Sequence, residues 1–440
     1  MKMSIVSLGC DKNTVDSEMM LGLMSDRGFE YTDVEDEAEV MIINTCGFIQ
    51  SAKEESINAI LEAARLKEEG SLRALIVTGC LAQRYKDEII KEIPEVDALL
   101  GTSNFDKIVE TVEDVLCGEI KNEFPDLNRL PAISNKRKNS TGGYYAYLKI
   151  AEGCNKNCTY CIIPSLRGNY RSYPMEDLVS QTKDLASQGI RELILVAQET
   201  TLYGTDIYGE KTLPKLLKEL SKVDGIEWIR ILYCYPEEIT DELIDVIATE
   251  DKVCKYLDIP IQHASDNILR RMARRTSHDD LVNIINKLRK NIPDITLRTT
   301  IISGFPGETE EDLETVIDFI KDMKFERLGV FTYSKEEGTV AAEFENQIDE
   351  DEKEARKDRI MRVQQEISGT NLKNLVGKTF RVLIEGRLPD EDIYIGRTYM
   401  DTPGVDGYVF VNSDKDYMSG DFCDVTITGS SEYDLIGEAV

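Results

Sequence analysis

Hydrophobic positions follow two alternating patterns along the first 128 residues. Continuous apolar runs that end in small residues alternate with stretches of helical spacing, such as 51–68 and 84–93. Strands that are apolar along their whole length are typical of parallel sheets buried on both faces. The pattern therefore predicts an N-terminal open parallel α/β domain over residues 1–128. Its first predicted strands cover 3–10, 40–48 and 73–80.

The same alternation resumes after a segment rich in Pro, Gly and charged residues at 128–143, which has the composition of a linker. Six βα units follow, fewer than the eight that close a full barrel, so we expect a central partial (βα)6 barrel over 144–345. Sites in such folds lie at the carboxyl ends of the strands. The predicted strands cover 145–151, 192–198, 228–234, 256–262, 295–303 and 327–333.

The remaining chain changes its pattern twice. Residues 349–369 carry opposite charges four residues apart, which predicts a solvated connecting helix. From 372 to 440 the apolar residues alternate with polar ones between Gly, Pro and Asp turns, which predicts a small antiparallel β-barrel. The 5 basic and 13 acidic residues from 377 to 440 give this barrel the wrong charge for binding RNA.

The composition narrows the possible functions. The 440 residues include 52 basic and 82 acidic side chains, a net charge of −30, so we expect a basic protein partner and no direct binding of nucleic acid. With only two histidines, mechanisms that need several are excluded. The sequence contains no apolar run of membrane length and does not begin like a secretion signal. We therefore expect a cytoplasmic protein, without a membrane partner, whose thiols stay reduced.

Three cysteines lie close together in AEGCNKNCTYC, at Cys154, Cys158 and Cys161. Three thiolates can hold a 4Fe-4S cluster with one iron left open, and that iron can bind S-adenosylmethionine for reductive cleavage. The alternative is a structural zinc loop with a distant fourth ligand. We favour the cluster because the cysteines follow the first strand of the predicted barrel, on its functional face.

Three further cysteines, Cys10, Cys46 and Cys80, are 36 and 34 residues apart, each beside a glycine near the end of a predicted strand. The carboxyl ends of parallel strands lie on one edge of the sheet, so these thiols can converge on a second cluster. Alternatively, each is only a small buried hydrophobic residue. The other four cysteines, which show no such spacing, are interpreted as packing residues.

Polar residues after the later strands are candidates for binding S-adenosylmethionine. The motif GFPGE, which starts at Gly304, is equally consistent with a simple turn, and the arginines of LRRMARRTS are interpreted as a solvated helix face rather than an anion site. The candidate cofactor-binding residues are Gln198, Glu199, Gln262, His263, Gly304 and Tyr333.

With both triads, the partial barrel and the terminal barrel, the chain resembles the radical-SAM methylthiotransferases over essentially its full length. The resemblance implies a methylthiotransferase domain, a radical-SAM domain and a TRAM-type barrel. The sequence IPIQHAS at 259–265 is similar to the branch that modifies an aspartate of the twelfth small-subunit ribosomal protein. The other branch, which modifies an adenosine in tRNA, is the alternative. Strongly basic ribosomal proteins complement an acidic enzyme.

The resemblance further implies two 4Fe-4S clusters and two uses of S-adenosylmethionine. One molecule supplies a methyl group to sulfur at the auxiliary cluster on Cys10, Cys46 and Cys80. Another is cleaved at the cluster on Cys154, Cys158 and Cys161, and the resulting radical removes hydrogen from the β-carbon of the aspartate. An electron donor and a sulfur source are required as further partners. A non-catalytic assembly factor that clamps a basic protein is the remaining alternative.

Overall fold

The computed structural model describes residues 1–133, 136–389 and 392–440. Within residues 1–133, six parallel strands form one open sheet in the order β2-β1-β3-β4-β5-β6, with helices on both faces. The strands are β1 Lys2–Ser7, β2 Glu30–Tyr31, β3 Val40–Thr45, β4 Ala74–Gly79, β5 Ala98–Leu100 and β6 Lys121–Glu123. The helices are α1 Asp11–Asp26, α2 Gln50–Glu68, α3 Cys80–Arg84, α4 Lys86–Glu92 and α5 Ile108–Leu116.

The segment predicted as a linker is held tightly in its described part. Arg137 is buried, and its guanidinium donates to Glu18 Oε2 at 2.7 Å and to the carbonyl of Tyr147 at 2.6 Å. Ser140 donates its amide to the same carboxylate at 2.6 Å. Composition suggested a free linker, but these bonds fasten it to both neighbouring domains. Residues 134 and 135 of this prediction lie outside the described residues.

Between residues 136 and 345, six parallel strands form a second open sheet, in the order β14-β13-β12-β11-β10-β7. This agrees with the predicted partial barrel, and a separate short pair is formed by β8 and β9. The strands are β7 Tyr145–Lys149, β8 Ala151–Glu152, β9 Arg171–Ser172, β10 Glu192–Val196, β11 Trp228–Ile231, β12 Val253–Asp258, β13 Thr296–Ser303 and β14 Arg327–Thr332. The helices are α6 Ile163–Arg167, α7 Met175–Ser187, α8 Leu213–Ser221, α9 Asp241–Thr249, α10 Asp266–Arg271, α11 His278–Asn291 and α12 Glu310–Met323.

The predicted connecting helix is α13, Glu350–Lys373, and only one of its faces is solvated. Its other face is a buried stripe. The residues of this stripe are three or four positions apart and include Ile360 and Leu372. The expected pair of Glu352 and Arg356 forms at 2.7 Å, and Arg356 also binds Glu308 at 2.9 Å. The charge pattern concealed the buried stripe because its Lys and Arg side chains are themselves buried with partners.

In the described part of the C-terminal segment, five strands close a barrel, which confirms that fold. One pairing differs from the expectation of an antiparallel barrel, since β17 and β19 run parallel. The strands are β15 Thr379–Arg387, β16 Ile393–Arg397, β17 Val409–Asn412, β18 Phe422–Ser430 and β19 Leu435–Ala439.

The C-terminal barrel packs against the second sheet through buried ion pairs. Glu192, the first residue of β10, lies between Arg230 and Arg397 and accepts a bond of 2.7 Å from each. Although burial favours the neutral acid, the guanidinium groups lower the pKa of Glu192. Because each charge has a partner, the small barrel is fixed at this end of the sheet.

Within the described residues, no helix has both the length and the apolarity needed to cross a membrane.

Candidate metal-cluster site

The second domain presents Cys154, Cys158 and Cys161 on the loop between β8 and α6, which we call the local triad. Gly153 begins this loop with a φ of +76°, and a side chain there would place its Cβ 2.1 Å from the carbonyl oxygen of Asn169. Only glycine fits such a close approach. The amide of Cys154 donates to the carbonyl of Gly168 at 3.1 Å, which closes the loop on itself.

The thiols of the local triad are close enough to influence one another. Burial, together with the neighbouring thiol of Cys158, raises the pKa of Cys154 to about 11 and that of Cys161 to about 12. The amides of Lys156 and Ile163 donate to the sulfurs of Cys154 and Cys161 and act in the opposite direction. Thiols buried in this way become thiolates when a bound metal replaces the proton.

The first domain brings Cys10, Cys46 and Cys80 together just beyond the carboxyl ends of β1, β3 and β4, and we call them the distributed triad. The sheet register pairs Thr45 with Gly79, so Cys46 and Cys80 occupy equivalent positions just beyond β3 and β4. A side chain at Gly9 would place its Cβ 2.9 Å from the Cys46 sulfur, which shows how closely the loop before Cys10 approaches.

The electrostatics of the distributed triad resemble those of the local triad. Burial, together with the thiols of Cys80 and Cys10, raises the pKa of Cys46 to about 12. Burial also raises the pKa of Cys80, whereas the guanidinium of Arg167 lowers it and hydrogen-bonds its sulfur. The amide of Phe48 donates to the Cys46 sulfur.

Both triads fit an iron–sulfur cluster by their donor chemistry. In three cases the amide two residues after a cysteine donates to its sulfur, and hydrogen bonds to sulfur stabilise and tune such clusters. Among the residues that the structure describes, no three Cys, His, Asp or Glu side chains are grouped to hold a single metal ion. A cluster of four irons is wider than one ion, so its ligands lie further apart.

The two triads are neighbours across the interface between the first two domains. Ile162, which directly follows Cys161, packs with Leu166 against Cys80. Thr102 of the first domain donates to the carbonyl of Leu166 at 2.6 Å. The helix that leaves the local triad therefore forms one wall of the distributed triad.

Arg167 lies at the centre of this interface and is buried. Its guanidinium donates to Asn13 at 2.6 Å and to Asp16 and Glu152 at 3.2 Å. Lys149 pairs with the same two carboxylates. Although burial opposes ionisation, Lys149 and Arg167 lower the pKa of Glu152. Sequence reasoning did not select Arg167, because a lone arginine six residues after a cysteine gives no signal of its partners.

One of the predicted cofactor residues, Glu199, lies near the local triad, and Gln198 precedes it in the sequence. Glu199 is buried, accepts the amide of Thr201 at 2.9 Å, and lies close enough to Cys154 to raise the pKa of that thiol. Burial raises the pKa of Glu199 to about 7, against the pull of Lys156 at 3.9 Å. Gln198 follows β10, and its buried Oε1 has no hydrogen-bond partner among the described residues.

Two others, His263 and Gly304, contact Glu308 instead, and Gln262 contacts β13. The Nε2 of His263 lies 3.5 Å from Glu308 Oε2, and the amide of Gly304 donates to the same oxygen at 2.9 Å. A side chain at Gly304 would meet Lys353 at 2.3 Å. Gln262 bonds β13 through its backbone. These contacts order the carboxyl end of β13, and cofactor binding by these residues stays a prediction.

Tyr333 reaches the local triad only through other aromatic rings. Its ring lies 5.3 Å from that of Phe305, which in turn lies 6.5 Å from the ring of Tyr160. Tyr160 contacts Cys158. The role of Tyr333 in binding S-adenosylmethionine also stays a prediction.

Sequence reasoning missed several residues beside the local triad. The hydroxyl of Tyr235 lies 3.6 Å from the Cys158 sulfur, and Tyr235 follows β11, so the rule that selected Gln198 could have found it. The interpretation of LRRMARRTS as a solvated face is correct for Arg270 and Arg275 but wrong for Arg274. Arg274 is only 6% exposed, because the turn after α10 directs it toward the loop that carries the local triad.

Three family models match the chain in the order of its domains. The model described as "Uncharacterized protein family UPF0004" matches residues 2–101, "Radical SAM superfamily" matches 148–320, and "TRAM domain" matches 376–440. The first match contains the distributed triad and the second contains the local triad.

Curated relatives are similar over essentially the whole chain. A protein of Lachnoclostridium phytofermentans named "Ribosomal protein uS12 methylthiotransferase RimO" is 60% identical over 439 residues, covering 100% of both chains. Proteins with the same name from Acetivibrio thermocellus and Clostridioides difficile are 50% and 49% identical and cover 100% of this chain, with 98% and 99% of their own.

Solved structures share the fold at low identity. The radical S-adenosylmethionine methyltransferase TsrM from Kitasatospora setae has a TM-score of 0.58 at 15% identity, covering 75% of this chain and 74% of its own. The cobalamin-dependent S-adenosylmethionine radical enzyme OxsB has a TM-score of 0.53 at 11% identity, covering 83% of this chain and 56% of its own. Both likenesses concern the fold alone.

Proposed function

Because the chain belongs to the family of ribosomal protein uS12 methylthiotransferases named RimO, we propose that it attaches a methylthio group to the β-carbon of an aspartate in uS12. Membership of this radical-SAM family also brings an iron–sulfur cluster and S-adenosylmethionine. A ribosomal protein is basic, which suits a chain with a net charge of −30.

One observation carries the proposal for the site. The two triads lie on either side of one domain interface, where Ile162 and Leu166, which follow the local triad, share a buried cluster with Cys80 of the distributed triad. Insertion of a methylthio group needs a centre that activates the carbon and a second centre that delivers sulfur, and the two must act on the same atom. Neighbouring triads on two domains supply both within one region.

The proposed division of labour follows the three domains. Residues 1–128 hold an auxiliary 4Fe-4S cluster on Cys10, Cys46 and Cys80, and residues 144–345 hold a second 4Fe-4S cluster on Cys154, Cys158 and Cys161. When bound, S-adenosylmethionine supplies a methyl group at one step and a carbon radical at another. Residues 372–440 form the TRAM-type barrel. A reductant and a sulfur source come from other molecules.

The protein's own side chains prepare the interior for this chemistry. Tyr235 carries two cations over its ring, Lys156 at 4.8 Å and Arg274 at 4.2 Å, while its hydroxyl faces Cys158. Glu237 and Glu238 pair with Lys156 and hold this part of the loop in place. The buried groups exclude water from the local triad, which protects a reactive centre.

Co-expression with uS12 tests the activity directly. Mass spectrometry of uS12 should show one methylthio group in place of one hydrogen, located on a single aspartate, when the intact chain is present. The variant Cys154→Ala should abolish the modification. Cys117→Ala is the matched control, because Cys117 is exposed and far in sequence from both triads, and it should leave the modification intact. A methylthio group on tRNA instead of uS12 would contradict the proposed substrate.

A further inference from the structure

Arg274 is a buried cation without an anionic partner among the described residues. Its side chain donates once, from Nη2 to the carbonyl of Pro260 at 2.9 Å. The Nε and Nη1 groups are buried and have no hydrogen-bond partner in the described part of the chain. Leaving a buried charge and two of its donors uncompensated is costly, so such an arrangement indicates an anionic ligand.

The surroundings of Arg274 show where this ligand binds. Its guanidinium lies 4.2 Å from the centre of the Tyr235 ring, and the hydroxyl of Tyr235 lies 3.6 Å from the Cys158 sulfur. Tyr160, next to Cys161 in the sequence, contacts Cys158 and interacts with Arg274 from another side. The free donors are therefore beside the local triad and its middle cysteine.

Lys156, the other cation beside the Tyr235 ring, forms salt bridges, whereas Arg274 forms none among the described residues. Lys156 is also stacked on Tyr235, but it pairs with Glu237 at 3.1 Å and with Glu238. Glu237 and Glu238 therefore reduce the effect of the Lys156 charge on the local triad. Arg274 forms no salt bridge among the described residues, and Glu237 acts on its charge only from a distance.

We propose that Arg274 is a positioning residue for the cluster on Cys154, Cys158 and Cys161, whose sulfur atoms accept hydrogen bonds from its free N–H groups. One-electron reduction by an external donor adds one negative charge to the cluster. A guanidinium beside it stabilises that added charge and makes the midpoint potential of the cluster less negative. The inference rests on the proposed binding of a cluster at this triad.

The test compares two neighbouring arginines in the full-length chain. Cys10, Cys46 and Cys80 are first replaced by Ala, so that only the local triad holds iron, and the protein is reconstituted anaerobically. Redox titration followed by electron paramagnetic resonance gives the midpoint potential. Arg274→Gln should make the potential more negative, and Arg274→Lys, which keeps the charge with different donors, should give an intermediate value. Arg275→Gln removes the same charge from an exposed position and should leave it unchanged.

Each result of this comparison either supports or overturns the role of Arg274. An iron-loaded series with one common potential, or an equal shift in Arg275→Gln, would overturn the inference. So would weaker binding of S-adenosylmethionine by Arg274→Gln at an unchanged potential, since the guanidinium would then hold the cofactor's carboxylate. If Arg274→Gln fails to retain iron, the shift in Arg274→Lys decides. A background protein that binds no iron would refute the proposed function together with this inference.

Discussion

The two triads bring three cysteines together by opposite means. The local triad lies on one loop of eight residues, from Cys154 to Cys161, that is closed by its own backbone bond to Gly168. The distributed triad draws on the ends of three strands, and it depends on the register of β1, β3 and β4 and on Arg167 from the other domain. A local site survives damage to the domain interface, whereas a distributed site does not.

Removing one ligand from each triad should give the largest effects. The intact reconstituted chain should bind about eight irons, as two cubes of four. We expect Cys154→Ala to retain about four irons and lose all cleavage of S-adenosylmethionine, and Cys46→Ala to retain about four irons and continue the cleavage without modifying uS12. Iron analysis and chromatography of deoxyadenosine measure both. Equal loss of cleavage in both variants would contradict the division of roles.

Arg167→Met should weaken the interface between the two domains and so distinguish the two triads by which one loses iron first. It leaves Asp16 and Glu152 with fewer partners in a buried position, and breaking a buried ion pair costs about 3–5 kcal/mol. We expect a lower midpoint of urea unfolding and loss of iron from the distributed triad first. Arg73→Met, which removes an exposed pair with Glu39 at 3.8 Å, is the control and should change neither. Preferential loss of iron from the local triad would count against this account.

Gly9→Ala tests how closely the chain segments that carry the distributed triad must approach one another. The φ of Gly9 is +91°, and an added Cβ would lie 2.6 Å from Cys46 Cβ. Gly28 has a similar φ of +96°, with open space around it. Backbone strain of about 1–2 kcal/mol should therefore appear in both alanine variants. Only Gly9→Ala should also lose iron, by about half. Iron analysis with thermal melting compares them, and equal iron contents would show that these segments need not approach so closely.

The smallest effect is expected from the remaining cysteines. Cys234 is buried at the end of β11, 3.5 Å from Thr200 Oγ1, where it acts as a packing residue. Cys234→Ala should therefore keep about eight irons and the modification of uS12. A fall in iron content would mean that a seventh cysteine contributes to a cluster.

Much of this architecture could be predicted from the sequence, since the long apolar strands β1, β3 and β4 emerge from hydrophobic pattern alone. Strands of two or three residues, such as β2, β5 and β6, were missed, because so few residues carry too little periodicity to distinguish them from turns. The strand predicted at 256–262 is β12, Val253–Asp258, displaced because residues 259–261 are also apolar but lie beyond the strand, and Gln262 forms only an isolated bridge to β13.

The site was less predictable than the fold. Cysteine spacing indicated both triads, because chemistry restricts what three thiols at strand ends can bind. The partners of those thiols were not visible, since Arg167, Tyr235 and Arg274 become neighbours of cysteines only through tertiary packing. His263 was selected by its position after a strand; its contacts within the described residues are with Ser265 and Glu308, and its binding of S-adenosylmethionine stays a prediction.

The central claim is that the two triads hold two iron–sulfur clusters on either side of one interface. Anomalous diffraction at the iron edge, from crystals of the anaerobically reconstituted chain, tests it most directly. We predict two separate iron peaks, one bounded by the sulfurs of Cys154, Cys158 and Cys161 and the other by those of Cys10, Cys46 and Cys80. Iron at only one triad, or zinc at either, would contradict it.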